Sequence, residues 1–212
     1  MFIELLDLLR CVNAHEDTWL VASFKTVSSR FVLDGMLGCP TCSAKYPITT
    51  GVADFTTGAE MPRRKAGRSA ATLEREELAT RAGAFLNATE PGATVVLGGR
   101  WASAAQELSL ITEARVLALN PESGVEESET VGLLLVGSEI PVAPGSMLGV
   151  ALDASFPAGI VASAVKAVRA GGRIVGPAEI PPPSELAVLA RDENYWVAQK
   201  APEVIRLSRA GR

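Results

Sequence analysis

The 212-residue sequence is poor in cysteine and histidine, with three cysteines and one histidine. So few cysteines, and an odd number, argue against a secreted disulfide-stabilised domain and favour a reducing compartment, so we expect a cytoplasmic protein. No stretch approaches the roughly 20 apolar residues that span a bilayer. The first residues, MFIELLDLLRC, include Glu4 and Asp7 and lack the basic start of a signal peptide. We therefore expect no membrane association.

The sequence also lacks an excess of positive charge. Its formal net charge is −4, so the surface as a whole does not attract phosphate backbones. One basic stretch occurs in residues 57–71, which contain Arg63, Arg64, Lys65 and Arg68. A polar segment without apolar periodicity predicts a solvated linker, and the alternative is an arm that binds phosphate. A nucleic-acid partner is accordingly a weak expectation.

The apolar residues are distributed as in a globular protein with two unequal domains. They make up 48% of the sequence, and charged residues make up 21%. Residues 1–56 show strand-like alternation in TWLVASFKTV and SRFVLDGMLGC, which predicts a β-hairpin followed by a Tyr-Pro-Ile turn and a polar loop. A module of this size buries too little apolar surface to be stable alone and needs a metal or a partner.

Residues 72–212 alternate between helix and strand patterns. The stretches TLEREELATRAGAFLN, WASAAQELSLI and GIVASAVKAVRAGG predict helices, the last ending at its glycines. Five apolar stretches predict buried strands: TVVLGG, ARVLALN, TVGLLLVG, MLGVALDA and RIVGP. Apolar strands separated by helices indicate an α/β fold with a mostly parallel, Rossmann-like sheet. The tail ENYWVAQKAPEVIRLSRA predicts a closing antiparallel hairpin that turns at Ala-Pro.

All the soft metal ligands of the chain lie in its first 42 residues. Cys11 and His15 precede the predicted hairpin, and Cys39 and Cys42 follow it, so the hairpin would bring the two pairs together. A thioredoxin-type redox pair is less favoured because the second pair follows a strand rather than opening a helix. A Cys3His set suits structural zinc better than an iron–sulfur cluster. The alternative is a metal-free ribbon with Cys11 as a core thiol and His15 in an exposed loop.

A family resemblance accompanies this pattern. The stretches ELLDLLRC and LDGMLGCPTCSAKYPITTGVADF resemble the Trm112-like zinc ribbon over residues 1–56, with His15 offered where that family has its second cysteine. The resemblance implies structural zinc held by Cys11, His15, Cys39 and Cys42. It also implies a protein partner, because Trm112-like proteins bind and stabilise methyltransferases that modify RNA and translation factors.

Residues 72–212 resemble a class I S-adenosylmethionine-dependent methyltransferase through the order of their elements and the stretches TVVLGGRWA, ARVLALNPESG and AVKAVRAGGRIVG. The resemblance places the cofactor contacts at four positions: Gly98, Gly99, Asn120 and Ser138. The acidic residues usual at such sites are replaced, by Val96 before the glycines, by Asn120 at the ribose position and by Ser138 in the adenine loop. Each charged hydrogen bond that is lost costs about 1.5–3 kcal/mol.

These replacements predict a methyltransferase-like domain that has lost its reaction. We expect it to bind no S-adenosylmethionine, with Arg100 in the space of the ligand and no catalytic residue assigned. Asp153 would either line the mouth of the sheet or cap a loop. The expected function is a zinc-binding module that binds or stabilises a protein. Two alternatives remain: an active methyltransferase with an unusual cofactor loop, and an RNA-associated module that uses the basic linker.

Overall fold

The computed structural model describes residues 1–56 and 72–202. They form one mixed sheet in the order β1-β2-β3-β4-β7-β6-β5-β8-β9-β11-β10. The strands are β1 Val21–Ser28, β2 Phe31–Gly38, β3 Lys45–Thr49, β4 Val52–Phe55, β5 Thr94–Gly98, β6 Arg115–Leu119, β7 Val131–Val136, β8 Met147–Ala151, β9 Val168–Pro177, β10 Leu186–Arg191 and β11 Tyr195–Lys200. The predicted linker, with Arg63, Arg64, Lys65 and Arg68, lies outside the described residues.

The N-terminal strands β1 to β4 form an antiparallel meander. The hairpin of β1 and β2 agrees with the alternation in the sequence. The expected Tyr-Pro-Ile turn is wrong, because Lys45–Thr49 forms strand β3 and pairs with β2. Tyr46 and Ile48 are buried while Lys45 and Thr49 are exposed, so one face of β3 packs on the core.

The centre of the sheet is parallel. Strands β7, β6, β5, β8 and β9 lie side by side, and they are strands three, two, one, four and five of the α/β segment. This is the order of a doubly wound sheet, in which the chain reverses its direction of winding between β5 and β8. Strands β11 and β10 close the sheet as an antiparallel hairpin. The fold class predicted from the sequence is confirmed.

The meander and the parallel strands share the same sheet. Strand β4 pairs in parallel with β7 from Val52 opposite Leu133 to Phe55 opposite Val136. The first residues also pack on β7: a Cβ added to Gly132 would lie 2.9 Å from Met1 Sδ and 3.0 Å from Leu5 Cδ1. Residues on both sides of the expected linker therefore belong to one hydrophobic core.

Helices cover both faces of the sheet. On one face lie α1, Thr72–Leu86, and α2, Ala105–Thr112. On the other lie α3, Ala158–Ala167, and the 3-10 helix Ile3–Leu8, whose Leu5 and Leu6 are buried. The N-terminal segment thus fills part of the layer that helices cover in a doubly wound fold. Within the two described ranges, no helix is long and apolar enough to cross a membrane.

Two boundaries differ from those predicted. The helix expected to end at the glycines ends at Ala167, because Val168 is already extended and begins β9. The closing hairpin of the described residues consists of β10 and β11, and the second strand predicted after Ala-Pro lies outside the described residues. The β10–β11 turn forms at Asp192, whose Oδ1 accepts hydrogen bonds from the N–H groups of Asn194 and Tyr195, both at 2.7 Å. This side-chain-capped turn was not predicted, and the expected Ala-Pro turn stays a prediction.

Candidate metal centre and cofactor crevice

The fold brings the four predicted metal ligands into one cluster. Cys11 and His15 lie in the segment that precedes β1, and Cys39 and Cys42 lie in the turn between β2 and β3. Their ligand atoms all lie within 4.8 Å of one another. Cys11 Sγ is 3.6 Å from Cys42 Sγ, and Cys39 Sγ is 3.3 Å from His15 Nε2.

These distances fit a tetrahedral zinc ion. With Zn–S of about 2.3 Å and Zn–N of about 2.05 Å, the edges of a tetrahedron are about 3.8 Å between two sulfurs and about 3.5 Å between sulfur and nitrogen. The two observed separations fall within about 0.2 Å of those edges. A closed Cys3His set of this shape, with no place left for a substrate, is the geometry of a structural zinc site.

Neighbouring groups orient the four ligands. The Nδ1–H group of His15 donates a 2.6 Å hydrogen bond to the Glu16 carbonyl oxygen, which leaves Nε2 to face the cluster. The Tyr46 hydroxyl is 3.1 Å from Cys11 Sγ, and Asn13 Nδ2 donates to Cys42 Sγ at 3.3 Å. Such outer contacts fix the orientation of metal ligands.

The turn between β2 and β3 favours thiolates. The N–H of Ala44 lowers the pKa of Cys42 to about 6. Burial opposes ionisation of Cys39, but the N–H groups of Cys42 and Thr41 outweigh it, and the pKa of Cys39 is lowered. A metal bound by cysteine requires the thiolate form, so the backbone of the turn prepares both sulfurs for a cation.

A second candidate site lies where the winding of the sheet reverses. The carboxyl ends of β5 and β8 lie side by side there, which is where doubly wound sheets bind ligands. Gly99 has φ of +64°, and a Cβ built on it would lie 2.1 Å from Asp153 Oδ1. Asp153 Oδ2 accepts a 2.7 Å hydrogen bond from the N–H of Arg100, and Oδ1 accepts one of 3.0 Å from the N–H of Ser155. The carboxylate of Asp153 is therefore seated against the glycine turn.

The same crowding occurs at Gly98. A Cβ added there would lie 2.7 Å from Leu152 Cδ2 and 2.8 Å from Phe156 Cε2. The glycines that a nucleotide-binding loop uses for close approach of a ligand are here approached by the protein's own side chains. Arg100 is exposed, and its expected place in the space of the ligand stays a prediction.

The other two predicted cofactor residues also follow strand ends. Asn120 follows β6, and its amide is used within the sheet: Nδ2 donates to the Val136 carbonyl at 3.0 Å, and Oδ1 accepts from the Val136 N–H at 2.8 Å. Ser138 follows β7 and is exposed. The four predicted cofactor residues thus lie at the carboxyl ends of the parallel strands: Gly98, Gly99, Asn120 and Ser138. Their binding of S-adenosylmethionine stays a prediction.

Sequence reasoning missed two groups beside the metal cluster and left one role open. Asn13 lies between Cys11 and His15, and Tyr46 belongs to the Tyr-Pro-Ile motif, so their positions in the pattern were the available signal. For Asp153, both alternatives hold, because it lies at the mouth of the sheet and caps the loop. It is only 7% exposed.

No protein-family model and no curated protein matches the chain. Solved structures that are similar to part of it include two methyltransferases and a cyclase. Geranyl diphosphate methyltransferase in complex with SAM is 14% identical over 54% of this chain and 66% of its own, with a TM-score of 0.44. The MycE methyltransferase of the mycinamycin pathway, with Mg and SAH, is 12% identical over 61% of this chain and 47% of its own, with a TM-score of 0.46.

The cyclase SpnF is 10% identical over 53% of this chain and 48% of its own, with a TM-score of 0.42. The three matches span about half to two-thirds of the length of the solved chains. At these identities a shared activity does not follow, because one fold serves many reactions.

Proposed function

We propose that this chain is a zinc-stabilised, methyltransferase-like protein without catalytic activity, in which the N-terminal ribbon stabilises the α/β unit of its own chain. The ribbon is of the Trm112-like kind, and it acts on the sheet to which it is joined. Cys11, His15, Cys39 and Cys42 hold the structural zinc. The three cysteines are reduced in the zinc-bound protein, as a cytoplasmic location would favour.

The pairing of β4 with β7 is the observation that carries this proposal. Without β4, strand β7 would form the edge of the parallel sheet, and an apolar edge strand is a site of aggregation. Strand β4 supplies the missing partner, and the segment that contains Met1 and Leu5 covers the adjoining face. The metal cluster holds both ends of the β1–β2 hairpin, so loss of zinc would loosen the strands that complete the sheet.

The absence of catalysis is supported by the contents of the crevice. Asp153 accepts a hydrogen bond from the N–H of Arg100 in the glycine turn, and the amide of Asn120 is hydrogen-bonded to Val136. Binding of S-adenosylmethionine would have to displace a buried carboxylate that accepts two backbone hydrogen bonds. Each such bond to a charged group is worth about 1.5–3 kcal/mol.

Two measurements on the full-length protein test the proposal. Metal analysis after purification under reducing conditions is expected to give one zinc per chain. Titration calorimetry with S-adenosylmethionine is expected to give no binding heat at millimolar ligand. A metal-free protein that is fully folded would end the structural zinc assignment, and micromolar affinity for S-adenosylmethionine would end the assignment as a non-catalytic protein.

The second candidate function is an active S-adenosylmethionine-dependent methyltransferase. It is favoured by the crevice at the reversal of the doubly wound sheet, where Gly98 and Gly99 follow β5. In this case Asp153 would move away from Gly99 when the cofactor binds. The variant Asp153→Ala separates the two functions: a gain of affinity shows that the carboxylate excludes the ligand, whereas a loss shows that it contacts the ligand.

A protein partner remains part of the proposal through the resemblance to Trm112-like ribbons, and a methyltransferase or a translation-related protein is the expected class. The ribbon strand β4 is already paired within the chain, so such a partner would contact other surfaces. The RNA-associated alternative depends on the basic stretch within residues 57–71, outside the described residues. Retention on RNA that falls with rising salt would support it.

A further inference from the structure

We propose that the metal cluster is also a site of oxidation, at which a hydroperoxide attacks Cys42 and a Cys11–Cys42 disulfide replaces the metal as the clamp of the ribbon. This inference rests on the zinc site proposed above.

Exposure selects the sulfur that reacts first. Cys42 is exposed, whereas Cys39 is 3% exposed and its Sγ lies against His15 Nε2 at 3.3 Å. A small oxidant from solvent therefore meets Cys42 before Cys39. Oxidation of cysteine is selective for accessible sulfurs in this way.

Exposure and contact together select the second sulfur, because Cys39 is buried and Cys11 is not. Cys11 Sγ lies 3.6 Å from Cys42 Sγ and is partly exposed. A disulfide requires about 2.05 Å between the sulfurs, so the pair must approach by about 1.5 Å. Cys11 lies in the segment between Ile3–Leu8 and β1, and Cys42 lies in a turn, so neither sulfur is carried by a residue of a strand.

The chemistry balances with one equivalent of hydroperoxide. The sulfur of Cys42 attacks the peroxide, the O–O bond breaks, and a sulfenic acid forms with release of water or an alcohol. The sulfur of Cys11 then attacks that sulfenic sulfur, the S–S bond forms, and the sulfenic oxygen leaves as water. Two cysteine sulfurs lose two electrons in total, and the peroxide gains them. Only Cys39 and His15 then remain to hold a metal ion.

The new bond would preserve the clamp. Cys11 precedes β1 and Cys42 follows β2, so a disulfide between them joins the same two segments that the metal joins. The oxidised, metal-free ribbon would stay closed, whereas a reduced protein stripped by a chelator would have neither link.

The test uses full-length, zinc-loaded protein and hydrogen peroxide. We expect release of one zinc for every two thiols lost, measured with a chromogenic chelator and a thiol reagent. Peptide mapping should find the Cys11–Cys42 disulfide with Cys39 still free. Limited proteolysis should cut the oxidised protein more slowly than the reduced, chelator-stripped protein.

The variant Cys42→His tests the role of the exposed thiol, because it removes the thiol and supplies an imidazole, which is also a zinc ligand. It should release zinc at least about tenfold more slowly in peroxide. A Cys39–Cys42 disulfide, or zinc retained after two thiols are lost, would overturn the redox proposal, and the map of the unaltered protein decides this even if the variant does not fold. Absence of zinc from the reduced protein would instead overturn the metal site itself.

Discussion

Replacement of Asp153 by alanine tests the interpretation of the crevice. The carboxylate is 7% exposed and accepts hydrogen bonds from the N–H groups of Arg100 and Ser155 at 2.7 and 3.0 Å. Two such bonds to a charged group amount to about 3–6 kcal/mol, and we expect a loss near the lower end, about 3 kcal/mol, because both hydrogen bonds are only partly buried. For a chain of this length, that loss lowers Tm by about 6–12 °C.

The assay is thermal unfolding followed by circular dichroism, with Asp192→Ala as the matched control. Asp192 also accepts two backbone hydrogen bonds, but in the exposed β10–β11 turn, so its replacement should lower Tm much less. Equal Tm shifts for the two variants, or no shift for Asp153→Ala, would refute the view that Asp153 is a buried closure of the glycine turn.

Three further predictions concern the same structural features. Gly99→Ala should lower the free energy of unfolding in urea by about 1–3 kcal/mol, because φ of Gly99 is positive and the carboxylate of Asp153 lies against the turn. The loss should be smaller in an Asp153→Ala background, and strictly additive losses would contradict this contact. The N–H groups of Tyr195 and Asn194 lower the pKa of Asp192 below its usual 3.8. The stabilising contribution of Asp192 is therefore present above pH 3.8 and is lost as the pH falls through the lower pKa of the folded state. The Tm difference between the protein and Asp192→Ala should narrow from pH 7 to about pH 2, and a constant difference would be contrary evidence. Tyr46→Phe removes the hydroxyl beside Cys11 and should weaken zinc affinity about tenfold in chelator competition, whereas unchanged affinity would mean that this contact does not orient the ligand.

Local patterns in the sequence predicted most of the fold. The apolar stretches that became β5, β6, β7 and β8 and the helix pattern of α1 are continuous in sequence, so propensity and periodicity suffice for them. Strands β3 and β4 were missed for an identifiable reason. Strand β3 contains Pro47, β4 has four residues, and β4 is completed by pairing with β7, whose paired residues lie 81 positions further along the chain. Tertiary pairing, which a local pattern does not contain, creates these strands.

The two candidate sites were predictable to different degrees. The metal cluster could be predicted because the chain has only four soft ligands and a hairpin lies between the two pairs. The closure of the crevice could not, because Arg100 and Asp153 are 53 positions apart and meet only through the adjacent ends of β5 and β8. The missing acidic residues predicted a changed site, but no signal in the sequence indicated that Asp153 contacts the glycine turn.

Hydrogen exchange of β7 with and without zinc tests most directly whether the ribbon stabilises the sheet of its own chain. The protein would be compared in its zinc-bound form and after removal of zinc by a chelator under reducing conditions, with exchange followed by mass spectrometry. We predict that amides of Val52–Phe55 and Val131–Val136 exchange at least about tenfold faster without zinc, while Met147–Ala151 in the centre of the sheet keeps its protection. Unchanged protection of Val131–Val136 in the zinc-free protein would contradict the account.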